Sequence, residues 1–357
     1  MKVNRTDLSI ALRELARVAP NKPSIPILAY VVIEATNGTL KLRSTDLDTH
    51  LTADLPCDGD LAPTCLPLKS LAALARPESK KDAGVVSIDL DGMIATVVVD
   101  GVTSKLPALP AEDFPSLPTA DGLSLVALWP ATKLRAALGY VLPAVSGDIT
   151  RPHIGGVNLE GARIASTDGH RLHLADLPSA IADKMFLPTT AAATLLRMLN
   201  GDGQVVLART KSHLRARRGV FTLDAKLGDM EFPNVDQAVP SMLSLPTRLM
   251  VETDAVRKAM ARIGKLSTRG AFKMTVNGVV MLSTDSEDGS TEFELPVVSN
   301  THEGDEDLVI GFNAAYLADA VNGTEGAALM LLGGCLDPLR VNSACETRTA
   351  VIMPMRT

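Results

Sequence analysis

Apolar positions fall three and four residues apart in six stretches, as at Leu8, Leu12 and Leu15 and again at Leu134, Leu138 and Leu142. That spacing puts one apolar stripe on a helix and predicts helices over 7–19, 68–76, 131–144, 189–200, 254–265 and 313–322. Thr6 stands before the first as a capping side chain, and Pro130 heads the third, where a missing N–H is tolerated. Between the helices the pattern changes to alternation that ends each time in proline: Ala53-Asp-Leu-Pro56, Ala175-Asp-Leu-Pro178 and Phe293-Glu-Leu-Pro296. A period of two buries one face only and predicts a half-buried strand. Longer strand runs are predicted over 85–106, 205–227 and 328–353.

These elements come in the same order three times: helix, strand pair, helix, strand run. One short motif marks each copy: Gly38-Thr-Leu-Lys-Leu-Arg-Ser-Thr-Asp46, Gly161-Ala-Arg-Ile-Ala-Ser-Thr-Asp168 and Gly278-Val-Val-Met-Leu-Ser-Thr-Asp285. The aspartates stand 122 and 117 residues apart, close to a third of the 357-residue chain. Ser-Thr-Asp falls where a strand gives way to a turn, and the Asp side chain is suited to bonding nearby backbone N–H groups there. The joins at 118–122 and 240–248 are loop-like, so the expected units are 1–119, 122–243 and 247–357. The fold class is α+β, in three tandem units. Similar units joined edge to edge turn by a similar angle each time. An arc of three closes most simply by pairing with a second copy under two-fold symmetry, which also removes exposed sheet edges.

The net charge of −6 conceals its distribution. The six helical stretches carry eleven Lys and Arg against Asp7, Glu14, Asp254 and Asp319, a surplus of seven positive charges, while the remainder carries −13. Lys and Arg are good helix formers on any solvated face. A basic layer in an otherwise acidic protein, however, fits helices that face a polyanion. Such contacts go to phosphates, carry no sequence information and weaken steeply with salt.

Composition narrows the classes further. Apolar residues make up 46% and charged residues 21%, enough for packed cores. No apolar run approaches the ~18 residues that span a bilayer, and residues 1–15 lack a signal-peptide apolar region, so a cytoplasmic protein without membrane contact is expected. Cys57, Cys65, Cys335 and Cys345 form no C-x-x-C and read as reduced thiols. Seven Phe, three Tyr and one Trp are poor material for stacking unpaired bases.

The whole chain resembles the bacterial DNA polymerase III β subunit, the sliding-clamp family. The matching segments run from end to end: Ile25-Pro-Ile-Leu28, Ser44-Thr-Asp-Leu47, Leu109-Pro-Ala-Glu-Asp-Phe-Pro115, Ser166-Thr-Asp-Gly-His-Arg-Leu172, Arg197-Met-Leu199, Glu231-Phe-Pro233, Ile310-Gly-Phe-Asn313 and Val351-Ile-Met-Pro-Met-Arg356. The resemblance implies three clamp domains with helices on one face of antiparallel sheets, closing head to tail as a homodimeric ring around duplex DNA. It implies a non-catalytic processivity factor without cofactor or metal. Its partners would be the replicative polymerase catalytic subunit, the clamp loader, and other polymerases and repair proteins that bind by short linear peptides. A paralogous clamp with a regulatory or inhibitor-resisting role would share the same features.

Carried over by position, the family's peptide groove would be lined by Ile154, Thr167, Gly169, His170, Arg171, Leu172, Pro240, Val351, Met353, Pro354, Met355 and Arg356. Polarizable, adaptable methionines suit a site shared by several peptides. His153 stands where the family often has an aromatic residue. Lys22 matches a DNA-contacting position of the family, and Arg151 lies in a loop directed toward the duplex. Arg13, Arg17, Lys133, Arg135, Arg197, Arg257, Lys258 and Arg262 are the helix bases expected to meet phosphate. At the expected dimer seam, Leu106 and Leu266 are apolar, but Ser104 and Lys265 replace large apolar residues. A catalytic reading would use Ser166, Asp168 and His170. Three residues so close along a tight turn do not readily form a nucleophile–base–orienter geometry. His170 and His173 lack a third metal ligand nearby.

Overall fold

The structure is a computed structural model that describes every residue except 78–83, 120, 268–269, 287–288, 303–305, 325, 346 and 357. Among the described residues six α-helices form where the three- and four-residue spacing places them: α1 (Arg5–Leu15), α2 (Leu68–Leu74), α3 (Ala131–Val141), α4 (Thr189–Met198), α5 (Thr253–Leu266) and α6 (Ala314–Val321). The start of α1 departs from expectation. Asn4, not Thr6, is the cap: its side-chain oxygen accepts the Asp7 N–H at 3.1 Å, so the helix begins at Arg5. Asn313 caps α6 in the same way, accepting from the N–H groups of Ala315 and Tyr316. Among the described residues no helix is long and apolar enough to cross a membrane. All four cysteines are free thiols.

The chain forms two compact units. The first comprises residues 1–131 and 193–227. Its sheet runs, in order, through Ser124–Pro130, Gln204–Arg209, His213–Arg218, Phe221–Lys226, Thr49–Asp58, Lys2–Asn4, Val85–Asp91, Ile94–Val99 and Val102–Pro107. The strands Tyr30–Thr36, Thr39–Thr45, Leu61–Pro67 and Leu109–Pro110 branch from it. Leu8, Ala11, Leu12 and Leu15 of α1 are wholly buried and pack on Thr39–Thr45, Thr49–Asp58 and α2. A helix of eleven residues is marginal alone, so this burial, about 1.5–3 kcal/mol for each large side chain, is what holds it.

The second unit comprises residues 132–192 and 228–357. A seven-stranded sheet runs Gly156–Thr167, Arg171–Pro188, Arg348–Ile352, Leu339–Ser343, Ala327–Leu332, Thr247–Glu252, Val297–Asn300. A four-stranded sheet runs Gly289–Glu294, Val280–Ser286, Ala271–Val276, Leu308–Asn313. Helices α5 and α6 pack on each other, and Val256, Met260 and Ile263 of α5 and Leu317, Ala320 and Val321 of α6 are buried.

Pairings throughout are antiparallel, consistent with the α+β class. Compactness follows the sheets and not the repeats. Phe221–Lys226 of the second repeat pairs with Thr49–Asp58 of the first, and Arg171–Pro188 of the second pairs with Arg348–Ile352 of the third.

Candidate functional site

The Ser-Thr-Asp repeat has a structural cause that the first two copies share. Ser44 Oγ donates to the Leu15 carbonyl at the end of α1 (2.9 Å), and Ser166 Oγ donates to the Val141 carbonyl at the end of α3. The threonine hydroxyl then closes the turn. Thr45 Oγ1 donates to the Thr49 carbonyl and accepts the Leu47 N–H; Thr167 Oγ1 donates to the Arg171 carbonyl (2.6 Å) and accepts the Gly169 N–H (3.0 Å). The carboxylate accepts two more amides: Asp46 from Asp48 and Thr49, Asp168 from His170 and Arg171. The third copy differs. Asp285 lies inside the strand Val280–Ser286, paired with Ser290, and Thr284 Oγ1 donates to the Ala271 carbonyl. Residues 287–288, which follow this strand, lie outside the described residues. Ser166 is wholly buried on its carbonyl partner, which removes it as a nucleophile.

The second copy of the turn meets the carboxyl-terminal strand. Arg171 stands opposite Ile352 and Leu172 opposite Val351. Beyond the strand, Met353 N–H donates to the His170 carbonyl (2.9 Å) and Met355 N–H to the Gly311 carbonyl (2.9 Å). Leu172, Leu174, Ala165 and Val351 form a buried cluster, roofed by Phe232, Val235 and Val239 from the segment that follows 228. That segment is fastened at two points. Arg163 Nη1 and Nη2 donate to the two carboxylate oxygens of Asp236 (2.7 and 3.2 Å), and Arg340 Nη1 donates to the Pro240 carbonyl (2.9 Å). Between these fastenings lies a cleft of about 250 Å³ that also involves Asp176 and Thr349.

Of the expected groove residues, the structure thus joins Thr167, Gly169, His170, Arg171, Leu172, Val351 and Met353 directly, and ties Pro240 to the same sheet. Ile154 is buried in a short turn whose carbonyl accepts the Ser146 N–H. Met353 is 47% exposed, Pro354 and Met355 are half-buried, and Arg356 is exposed. His153, next to Ile154, is half-buried. Arg171 is the exception in character: its guanidinium, 11% exposed, is turned away from solvent onto Asp168, Asp319, the Pro143 carbonyl and the Tyr316 ring. Arg151 is folded onto the same turn, bonding Asp148 and the Asp168 carbonyl (both 3.1 Å). Tyr316, Asp319, Arg340 and Phe232 were not legible as site residues. Only Phe232 sat in a family-like segment, and the others are brought in by pairings distant in sequence.

The basic side chains divide. Lys22, Lys133, Arg135, Lys258 and Arg262 are exposed. Arg13, Arg17 and Arg197 converge on Glu14 at 3.4, 3.0 and 3.9 Å, and burial together with the nearby Arg17 charge lowers the Arg197 pKa. Arg257 is tied down by Asp254 and by the Val321 and Thr324 carbonyls. At the expected seam, Ser104 and Leu106 lie half-buried on Val102–Pro107, the strand that ends its sheet, and Lys265 and Leu266 are exposed on the last turn of α5.

Comparison with known proteins decides the family. Residues 1–118 match the DNA polymerase III beta subunit N-terminal domain, and residues 129–234 match its central domain. The chain belongs to the DNA polymerase III beta subunit family. The beta sliding clamps of Proteus mirabilis and Escherichia coli K12 are each 27% identical to it, covering 99% of this chain and 99% of their own length. Among solved structures, the DNA polymerase III subunit beta of Pseudomonas aeruginosa superposes with a TM-score of 0.88 at 25% identity, over 100% of this chain and 99% of that one. The Bartonella birtlesii sliding clamp, solved bound to griselimycin, gives 0.88 at 27% identity over 100% of both chains. Those matches give this chain the α+β fold of the beta clamps.

Proposed function

We propose that this chain is a DNA polymerase processivity factor, a sliding clamp closed by two copies around duplex DNA. The observation that carries this function is the end-to-end match to beta sliding clamps, 99% of both chains. The physical features agree with it. Surplus positive charge lies on the helices, much of it on exposed side chains, as at Lys133, Arg135, Lys258 and Arg262. Such bases hold phosphate weakly and exchangeably, which permits sliding, whereas tight base-edge contacts would arrest it. Retention then comes from topology: a closed ring cannot leave a duplex sideways.

Closure by a second copy fits the sheet edges. Val102–Pro107 carries Lys105 and ends one sheet; Gly289–Glu294 carries Glu292 and Glu294 and ends another. Each edge offers unpaired backbone groups, and their charges are complementary. The surface where the 167–171 turn meets residues 351–356 is the dock for short peptides of the replicative polymerase catalytic subunit, the clamp loader and repair proteins. Apolar side chains of such a peptide would bury against Met353 and its neighbours. The chain acts on DNA in the cytoplasm.

Retention on DNA tests this function. After loading, the protein should stay on a nicked circle and leave the same molecule once it is linearised. Equal loss from both would overturn the clamp reading.

A further inference from the structure

Beneath the groove lies an ion pair whose arginine is turned into the protein. Arg171 uses its whole guanidinium internally. Nε donates to Asp168 (3.1 Å), Nη1 donates to Asp319 on α6 (2.6 Å), and Nη2 donates to the Pro143 carbonyl. The guanidinium carbon lies 4.3 Å from the centroid of Tyr316, one turn earlier on the same helix. The Arg171 main chain is also committed, its N–H to Asp168 and its carbonyl to Thr167. The polar groups of Arg171 are therefore committed within the protein, and its guanidinium fastens the turn to α6. The Arg171 side chain is 11% exposed and that of Asp319 32%, and charge-assisted bonds of this kind are directional.

Its position relative to the carboxyl terminus gives that fastening a consequence. The residue before Arg171, His170, holds the Met353 N–H; the strand that leads into α6 holds the Met355 N–H through Gly311. Residues 353–355 are thus suspended from two supports, the turn and the strand before α6. The Arg171–Asp319 pair is a direct polar link between the turn and the helix that this strand enters. Loosening the pair lets the supports shift, and the exposed Met353 side chain moves with them.

We propose that Asp319 is a positioning residue for peptide binding, acting through Arg171 and not by contact. This rests on the groove being the peptide site. Asp319→Asn keeps the size of the side chain and removes the charge that orients Nη1. It should weaken the C-terminal ten-residue peptide of the cognate polymerase catalytic subunit about tenfold, the scale of coupling through a packed polar network. Asp319→Glu should restore most of the affinity.

The companion readout is independent of any peptide. In protein labelled with ¹³C at the methionine methyls, Asp319→Asn should shift Met353 and Met355 and leave Met274 and Met330, buried elsewhere in the same unit, unmoved. Affinity within twofold of wild type, unshifted Met353 and Met355, or equal movement of all four methyls would each overturn the proposal. Where the wild-type protein itself fails to bind the peptide, the groove reading falls, and the methyl shifts still decide whether Asp319 positions the terminus.

Discussion

The rings of Tyr140 and His173 stack with centroids 4.9 Å apart and planes inclined by 29°, two residues after the Arg171 hub. His173 is wholly buried, and its Nδ1 lies 2.8 Å from the Tyr140 carbonyl, so Nδ1 carries the proton and donates it there. Nε2 has no partner among the described residues. Burial holds the imidazole pKa down to about 4, against 6.5 when solvated; the hydrogen bond to Tyr140 opposes the shift and the Arg171 charge adds to it. Above pH ~6.5 neither the folded nor the unfolded state is protonated and the stability is complete; below it the unfolded chain takes the proton first. The second unit should lose about 2 kcal/mol by pH 5 and about 3 kcal/mol by pH 4 from this group alone. Native-state hydrogen exchange of the strand Arg171–Pro188 reads it. In His173→Phe that pH dependence should vanish, with a uniform loss of about 1–2 kcal/mol from the unsatisfied Tyr140 carbonyl.

The shared turn makes opposite predictions in its two copies. Its third residue has positive φ: Leu47 at 87° and Gly169 at 90°. An L side chain is strained there, by roughly 1–2 kcal/mol. Leu47→Gly should therefore stabilise the first unit or leave it unchanged, the gain offset in part by the entropy of glycine and by the removal of a half-exposed leucine. Gly169→Ala should destabilise by about 1–2 kcal/mol, since its Cβ would also stand 2.9 Å from Arg151 Nη1. Urea midpoints of the two variants moving in the same direction would contradict the equivalence of the turns.

What the sequence disclosed was whatever is local. Leu8, Leu12 and Leu15 announce α1 because helical spacing alone puts them on one buried face, and the motif ending in Asp46 and Asp168 announces a turn because its hydrogen bonds span four residues. The cap of α1 was misplaced because Asn4 and Thr6 are both competent, and only the geometry of the preceding strand chooses. The third copy of the motif was misread because Asp285 has the same neighbours, yet its strand continues past it. The role of Arg171 was out of reach, since its partners Pro143 and Asp319 lie far off along the chain and meet it only in the folded structure.

Met353 and Met355 provide the direct test of the groove. Met353 is 47% exposed, and truncating it creates no enclosed cavity. The double variant Met353→Ala with Met355→Ala should abolish binding of a polymerase tail peptide while shifting the unfolding midpoint by less than about 1 kcal/mol, the range of surface substitutions. Unchanged peptide affinity would move the site elsewhere.

Three arginines around Glu14 make a cluster with surplus charge that an anion would relieve. Glu14→Gln should strengthen non-specific duplex binding at low salt. Lys258→Glu with Arg262→Glu should weaken it and flatten the dependence of log K on log salt by about 0.9 for each phosphate no longer neutralised. Arg257 must be left out of such a charge reversal. It holds the Val321 and Thr324 carbonyls, so Arg257→Glu should lower stability and obscure any effect on DNA. Electrophoretic titrations across a salt series separate the cases, and unchanged slopes would remove α5 from the duplex-facing surface.

The dimer seam should be held less by apolar contact than is usual for the family. Ser104 faces Val97 within its sheet, and Lys265 lies on the last turn of α5 where an apolar residue would have buried surface. Each missing large side chain forgoes about 1–3 kcal/mol of burial. Leu106 and Leu266 remain, together with the opposed charges of Lys105 and of Glu292 and Glu294. Attraction between exposed charges is screened by salt over about 10 Å, so the dimer should loosen as salt rises, in contrast to an apolar seam. Sedimentation at low nanomolar concentration should find the wild type partly monomeric. Ser104→Ile with Lys265→Leu should shift it to dimer and remove most of the salt dependence. A wild-type protein that stays dimeric there at every salt concentration would show that contacts beyond these four residues dominate the seam.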